Sequence, residues 1–252
     1  MYDKIEFFTI AKEDTLLTAL KKIDANKKGF VIVVDVSGCF IGVLTDGDIR
    51  RALINGIALS ETVDAVCNKE AKKLFVSDEI EKAMELFKDQ AISFVPIVDE
   101  SDRVVNIITK ADMHTMLLKN IYADLTYDFM SLDTSILEHE IFPKPWGFFK
   151  TTVLNDDYQS KILSVKPGEC ISLQSHKHRE EHWIVVHGTG EVQLNEKTFK
   201  VQCGSSFFIP KGAKHRLINL NKDDSLIINE VQIGEQLDDN DLVRYEDKYG
   251  RE

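Results

Sequence analysis

At 252 residues the chain is long enough for one large domain or two ordinary ones, each with its own core. Hydrophobic residues at 43% and charged residues at 29% describe a globular protein, and no apolar run approaches the roughly 18–20 residues that span a bilayer. A formal net charge of −11 argues against nucleic acid or an anionic membrane as partner, while local basic clusters leave small anionic ligands open. The N-terminus lacks the apolar stretch of a signal peptide, and Cys39, Cys67, Cys170 and Cys203 show no Cys-x-x-Cys spacing, so a reduced, cytoplasmic protein is expected.

The first half repeats. At an offset of 64 residues Asp14 meets Asp78, Ala19 meets Ala83, Phe30 and Val31 meet Phe94 and Val95, Thr45 meets Thr109, and Asp48 meets Asp112, without a gap. In the first copy Glu13 and Asp14 are placed to cap a helix with apolar positions Leu16, Leu20 and Ile23. The β-branched run 30–34 predicts a strand buried on both faces, followed by a turn over 35–38, a strand over 40–44 and a helix from Asp46. The second copy predicts a helix over 78–88, strands over 93–98 and 104–108, and a helix from Lys110.

This helix–strand–strand–helix unit resembles the CBS domain pair, the Bateman module, over residues 1–120. The resemblance rests on Gly42-Val43-Leu44-Thr45-Asp46-Gly47-Asp48-Ile49 and on Phe94-Val95-Pro96-Ile97-Val98-Asp99 followed by Thr109 and Asp112-Met113. It implies that Asp48 and Asp112 hold a ribose diol, that Thr45 and Thr109 contact ribose or phosphate, that an adenine nucleotide acts as regulator, and that the module forms a homodimer. Arg50 and Arg51 follow the first Asp, whereas Met113 and His114 follow the second, which favours phosphate at the Asp48 site. The alternative is that both Asp residues are only helix caps.

Residues 121–142 have mixed polarity and no repeat partner, and are expected to be a linker. Beyond Pro143 and Pro145 the hydrophobic period shortens towards two, with turn signals at 166–168, 187–190, 204–205 and 210–212, as in an all-β barrel or sandwich. Five of the seven histidines fall in this half. Read as one strand, residues 170–178 put Ser172, Gln174, His176 and His178 on one face, a polar row that is costly to bury unless something coordinates it. The next strand aligns Glu181, Trp183, Val185 and His187.

These residues resemble the cupins over residues 143–252, so the expected fold is an α+β CBS pair followed by an all-β cupin, a double-stranded β-helix. Gly204, Pro210-Lys211-Gly212, His215 and Asn219 match the second cupin motif, and Glu181 with Gly188 closes the first. Counting back from Glu181 selects His176 and Gln174 over the conspicuous His176-x-His178 pair, so the resemblance implies metal ligands Gln174, His176, Glu181 and His215. That donor set suits a divalent ion, Zn²⁺ first, with Mn, Co, Ni or Fe open. More narrowly, Lys144-Pro145-Trp146-Gly147, the segments 173–179 and 181–186, 209–216, Glu230-Val231-Gln232 and 243–251 are similar to type II mannose-6-phosphate isomerase. There this cupin usually follows a mannose-1-phosphate guanylyltransferase domain, where this chain has the CBS-like pair.

The resemblance implies an enzyme that interconverts mannose 6-phosphate and fructose 6-phosphate through an enediolate. His178 is the preferred proton-transfer residue, with Glu180 and Lys214 as competitors, and Arg216 is placed to stabilise charge. Lys144 is a candidate phosphate contact. Trp146 and Trp183 are expected in the core, and Arg244, Asp247 and Arg251 are given no catalytic role. A cupin acting on another phosphorylated or nucleotide-linked sugar, and a non-catalytic nucleotide or sugar sensor, are the alternatives.

Overall fold

The computed structural model describes residues 5–250 and divides them into two compact units: residues up to His114 with Tyr122–Thr134, and Thr115–Ile121 with residues from Ser135 onward. The expected linker is therefore divided. Leu125 and Phe129 are buried, and the Asn106 amide donates to the carbonyls of Leu125 (3.4 Å) and Tyr127 (2.7 Å), which fastens that stretch to the first unit. A segment without periodicity gives no sign of such packing in advance.

In the first unit, β1 (Thr9–Ala11), α1 (Leu16–Asn26), β2 (Phe30–Val34), β3 (Phe40–Thr45) and α2 (Asp46–Ile54) are followed by β4 (Leu74–Phe75), α3 (Ile80–Leu86), β5 (Phe94–Val98), β6 (Val104–Thr109) and α4 (Lys110–Lys119). Each copy forms a three-stranded sheet, β1-β2-β3 and β4-β5-β6, whose first pair is parallel and second antiparallel. The offset holds in detail: the β-bulge between Val33 and Val34 recurs between Ile97 and Val98. α1 is capped by Thr15, whose hydroxyl accepts from Thr18 N, and not by Glu13 or Asp14; Asp14 accepts from Ala11 N instead.

Repeat partners meet each other. The Phe30 and Phe94 rings stack with centroids 3.5 Å apart, and Cys39 bridges to Arg103 across the two sheets. Each residue touching its own counterpart is what a local twofold axis between the copies requires. The copies differ at Gly42 and Asn106 for a packing reason. A Cβ at Gly42 would lie 2.6 Å from Asn68 O, because Val43 and Asn68 exchange backbone hydrogen bonds there.

The second unit contains β7 (Ile141–Lys144), β8 (Gly147–Leu154), β9 (Tyr158–Val165), β10 (Leu173–His176), β11 (Arg179–His187), β12 (Thr189–Leu194), β13 (Lys197–Gln202), β14 (Ser206–Ile209), β15 (His215–Ile218), β16 (Leu226–Gly234) and β17 (Leu242–Glu246). They form a five-stranded sheet, β13-β12-β15-β10-β17, and a six-stranded sheet, β14-β11-β16-β9-β8-β7. Trp183, Val185, Val192, Ile209, Leu217 and Ile228 fill the core between them. This is the expected double-stranded β-helix, an α+β unit preceding it. Gly188 illustrates how tightly its corners turn: φ is +82° and a Cβ would meet Ser225 O at 2.4 Å. Among the described residues no helix is long and apolar enough to cross a membrane.

A candidate metal centre and its cavity

The polar row on β10 and the single histidine of β15 belong to neighbouring strands, which pair at Gln174 and His215. β11, in the opposite sheet, turns Glu181 inward. His176 Nε2 lies 3.0 Å from Glu181 Oε1, and His215 Nε2 lies 3.3 Å from Glu181 Oε2, with all three side chains at most 2% exposed. The Gln174 amide approaches His215 Nε2 at 3.4 Å while its carbonyl oxygen accepts from Ser172.

Each imidazole is fixed through its other nitrogen. Nδ1 of His176 meets the carbonyl of Asp241 at 3.1 Å, and Nδ1 of His215 meets that of Ala213 at 3.0 Å. A carbonyl only accepts, so each Nδ1 carries a proton and each Nε2 is the nitrogen turned inward. His176 Nε2 is buried without a hydrogen-bond partner. Burial alone would raise the Glu181 carboxyl, but His215 and His176 outweigh it and hold it well below the usual carboxylate range. An ionised carboxylate buried between two inward Nε2 atoms needs positive charge among them, which a divalent ion supplies, so the residues fit such an ion. Among the described residues His176, Glu181 and His215 have ligand atoms within 4.8 Å of one another.

Two of the expected residues stand elsewhere. β10 ends at His176, so alternation does not carry through to His178; that residue lies in the turn before β11. Arg216 is turned to the face opposite His215, where Nη2 contacts the carbonyl (3.1 Å) and carboxylate (3.2 Å) of Glu246. His187, shifted by a bulge in β11, is exposed and paired with Asp224 at 3.0 Å.

Beside the three inward side chains is a cavity lined by Lys144, Lys161, Arg179 and Arg244, with Gln174, Glu230 and Gln232. Lys144 was anticipated; Lys161, Arg179, Arg244 and Glu230 were not. Alternation could have supplied Arg179, two residues before Glu181 on the same strand face. Arg244 needed the pairing of β17 with β10, where it stands opposite Gln174. Glu230 and Glu181 share two donors. Trp183 Nε1 donates to Glu181 (3.0 Å) and Glu230 (2.9 Å), and Gln232 Nε2 does the same at 2.8 and 2.9 Å. Trp183 is thus in the core as expected, with its indole N–H committed to both carboxyls. Burial, then the like charge of Glu181, push Glu230 up to about 8, against the pull of Lys161. Burial in turn lowers the Lys161 ammonium.

In the first unit, Thr45 and Thr109 are helix caps. Asp48 Oδ2 accepts from Thr45 N (2.9 Å) and Oγ1 (2.7 Å), and Asp112 Oδ2 accepts from Thr109 N (2.8 Å) and Oγ1 (2.7 Å). The Asp residues therefore close capping boxes from inside the helix and are not the N-caps themselves. Asp48 also takes Arg51 at 2.5 Å; burial pushes its carboxyl up, but Thr45 and Arg51 outweigh this and hold it low. At Asp112 burial prevails over Thr109 and the carboxyl is raised. A cavity of about 470 Å³ adjoins Thr109 and Asp112, walled by Phe7, Phe8, Phe30, Phe129 and Lys28; one of about 330 Å³ adjoins Thr45 and Asp48.

Comparison with known proteins agrees with this division. The family model for the C-terminal domain of mannose-6-phosphate isomerase matches residues 133–247, and the CBS domain model matches 3–55 and 63–119. The alginate biosynthesis protein AlgA of Pseudomonas fluorescens is 47% identical over 108 residues, 43% of this chain and 22% of that protein. The mannose-1-phosphate guanylyltransferase ManC of Salmonella typhimurium is 42% identical over 115 residues, 46% of this chain and 24% of that protein. The chain thus spans less than a quarter of these relatives. A solved protein with a double-stranded β-helix domain from Klebsiella pneumoniae is 16% identical, covering 44% of this chain and 95% of its own, with a TM-score of 0.38.

Proposed function

We propose that this chain, a CBS pair joined to a cupin domain of the mannose-6-phosphate isomerase family, interconverts mannose 6-phosphate and fructose 6-phosphate in its cupin. The observation that carries the reading is the meeting of His176, Glu181 and His215 with a cavity bordered by four cationic side chains. An anionic sugar finds charge-assisted partners there, although the molecule as a whole carries −11.

In this reading Gln174, His176, Glu181 and His215 hold a divalent ion, Zn²⁺ or one of Mn, Co, Ni and Fe. The ion when bound supplies a Lewis acid for the sugar oxygens. Lys144, Arg179 and Arg244 receive the phosphate, and their fixed positions orient the sugar chain. Isomerisation moves a proton between C2 and C1, which calls for a group able to hold and return it near neutral pH. Glu230 lines the cavity, held by Trp183 and Gln232, and takes the role first sought in His178. Metal-loaded protein in deuterated water should exchange the C2 proton of mannose 6-phosphate. Absence of exchange from folded, metal-replete protein would rule out isomerisation of this sugar.

A second reading concerns the first unit, where we infer a regulatory adenine nucleotide. In this reading the ligand lies at Asp112 and not at the Asp48 site that Arg50 and Arg51 suggested, supported by the larger, aromatic-walled cavity there and by the pairing of Arg51 with the Asp48 carboxylate.

A further inference from the structure

We infer that Asp241 is a positioning residue for the metal centre: its carboxylate holds the β10–β11 turn so that the Asp241 carbonyl can orient His176. The inference rests on the assignment of His176 as a metal ligand.

Four consecutive residues, 176 to 179, are held by one short C-terminal turn. The Asp241 carboxylate accepts from Lys177 N at 2.9 Å and from His178 N at 3.0 Å on each oxygen. Its own backbone carbonyl receives Nδ1 of His176 at 3.1 Å, and the carbonyl of Asp238 receives Arg179 Nη1 at 2.7 Å. The turn is itself braced, since the Asp238 carboxylate accepts from Asn240 N and from the Gln236 amide.

The Asp241 side chain is 1% exposed, and a buried carboxylate is costly unless hydrogen bonds and charge compensate it. Here the compensation comes from two successive backbone N–H groups of the turn that follows a metal ligand, with Arg179 4.0 Å away. Asp241 thus spends its hydrogen-bonding capacity on the part of the chain that must stay still if Nε2 of His176 is to point inward. Outer partners of a ligating histidine of this kind typically change metal affinity 10–100-fold when lost. Without the carboxylate, Lys177 N and His178 N lose their acceptor and the turn is no longer tied to residue 241. Only the β10–β17 pairing of His176 with Leu242 and the Arg179 contact to the Asp238 carbonyl then keep the residue 241 carbonyl near Nδ1, with the turn itself unbraced.

The acceptor oxygen, more than the charge, holds the turn, so asparagine and alanine should separate. Co²⁺ serves as probe, its affinity read by titration of visible absorption in full-length protein, with thermal unfolding of the metal-free form alongside. Asp241→Ala should weaken Co²⁺ binding about 10–100-fold, and Asp241→Asn should restore it to within about threefold of wild type. Asp224→Ala, which removes exposed contacts with His187 and Ser225 N only, should leave Co²⁺ affinity unchanged. Wild-type affinity in a folded Asp241→Ala protein overturns the inference, as does an Asn variant no better than Ala. If Asp241→Ala does not fold, Asp241→Glu carries the test, because it keeps charge and acceptors but changes their reach. It should weaken binding about tenfold or more, and wild-type affinity would overturn the inference. A wild-type protein that binds no Co²⁺ instead removes the metal assignment, and this inference with it.

Discussion

Glu181 and Glu230 compete for the same two N–H donors, and a buried pair of carboxyls favours one charge over two. Glu230 is the one held protonated at neutral pH, with a carboxyl near 8 against an ordinary 4.5. Between those values the metal-free folded chain binds a proton that the unfolded chain has released, so this residue's contribution to stability falls as pH rises through the window and levels off above about 8. Glu230→Gln removes the dependence. Its Tm in the metal-free form should gain on wild type from pH 4.5 to pH 8, by roughly 2–4 °C for each kcal/mol recovered in a chain of this length. The same variant should slow C2 proton exchange by about 10²–10⁴-fold. A Tm difference that does not change with pH would show that Glu230 is ionised throughout. The meeting of His176, Glu181 and His215 was legible because spacing along a motif survives folding. Lys161, Glu230 and Arg244 were not, because strands far apart in sequence bring them to one cavity. His178 was misplaced because strand alternation was extended two residues into a turn.

At the scale of elements, the two capping boxes begin α2 and α4 with the same four hydrogen-bonding groups, yet their carboxylates differ in surroundings. Thr45→Ala removes one cap but leaves Asp48 with Arg51, and should cost about 1 kcal/mol. Thr109→Ala leaves the more deeply buried Asp112 with the residue 109 backbone N–H but without the hydroxyl and should cost more, measured by urea unfolding of each variant. Equal losses would mean that the cap alone matters. The strands β2, β3, β5 and β6 were readable from β-branched runs and the repeat. β1 and β4 were not, since three and two residues carry no period. Their places nevertheless obey the offset, Ile10 and Ala11 corresponding to Leu74 and Phe75. The helix start at Thr15 was read one residue early because Asp14 is an equally good capping type.

Across the whole molecule, the proposed regulation by the first unit and catalysis by the second predict separable defects. Calorimetry with AMP should give heat that Asp112→Ala abolishes and Asp48→Ala retains, while neither variant alters Co²⁺ binding by the second unit. The reverse pattern would return the nucleotide to the Asp48 site. The local twofold of the first unit bears on how such a module is assembled. Phe30 against Phe94, and Cys39 against Arg103, are contacts of the isologous kind that two separate subunits make across a dimer axis. Covalent linkage of the two copies turns that association into an intramolecular event with a high effective concentration. The pairing, and the cavities beside it, are therefore present at any dilution of the protein, so the nucleotide binding proposed for them would not depend on how much of the chain a cell contains.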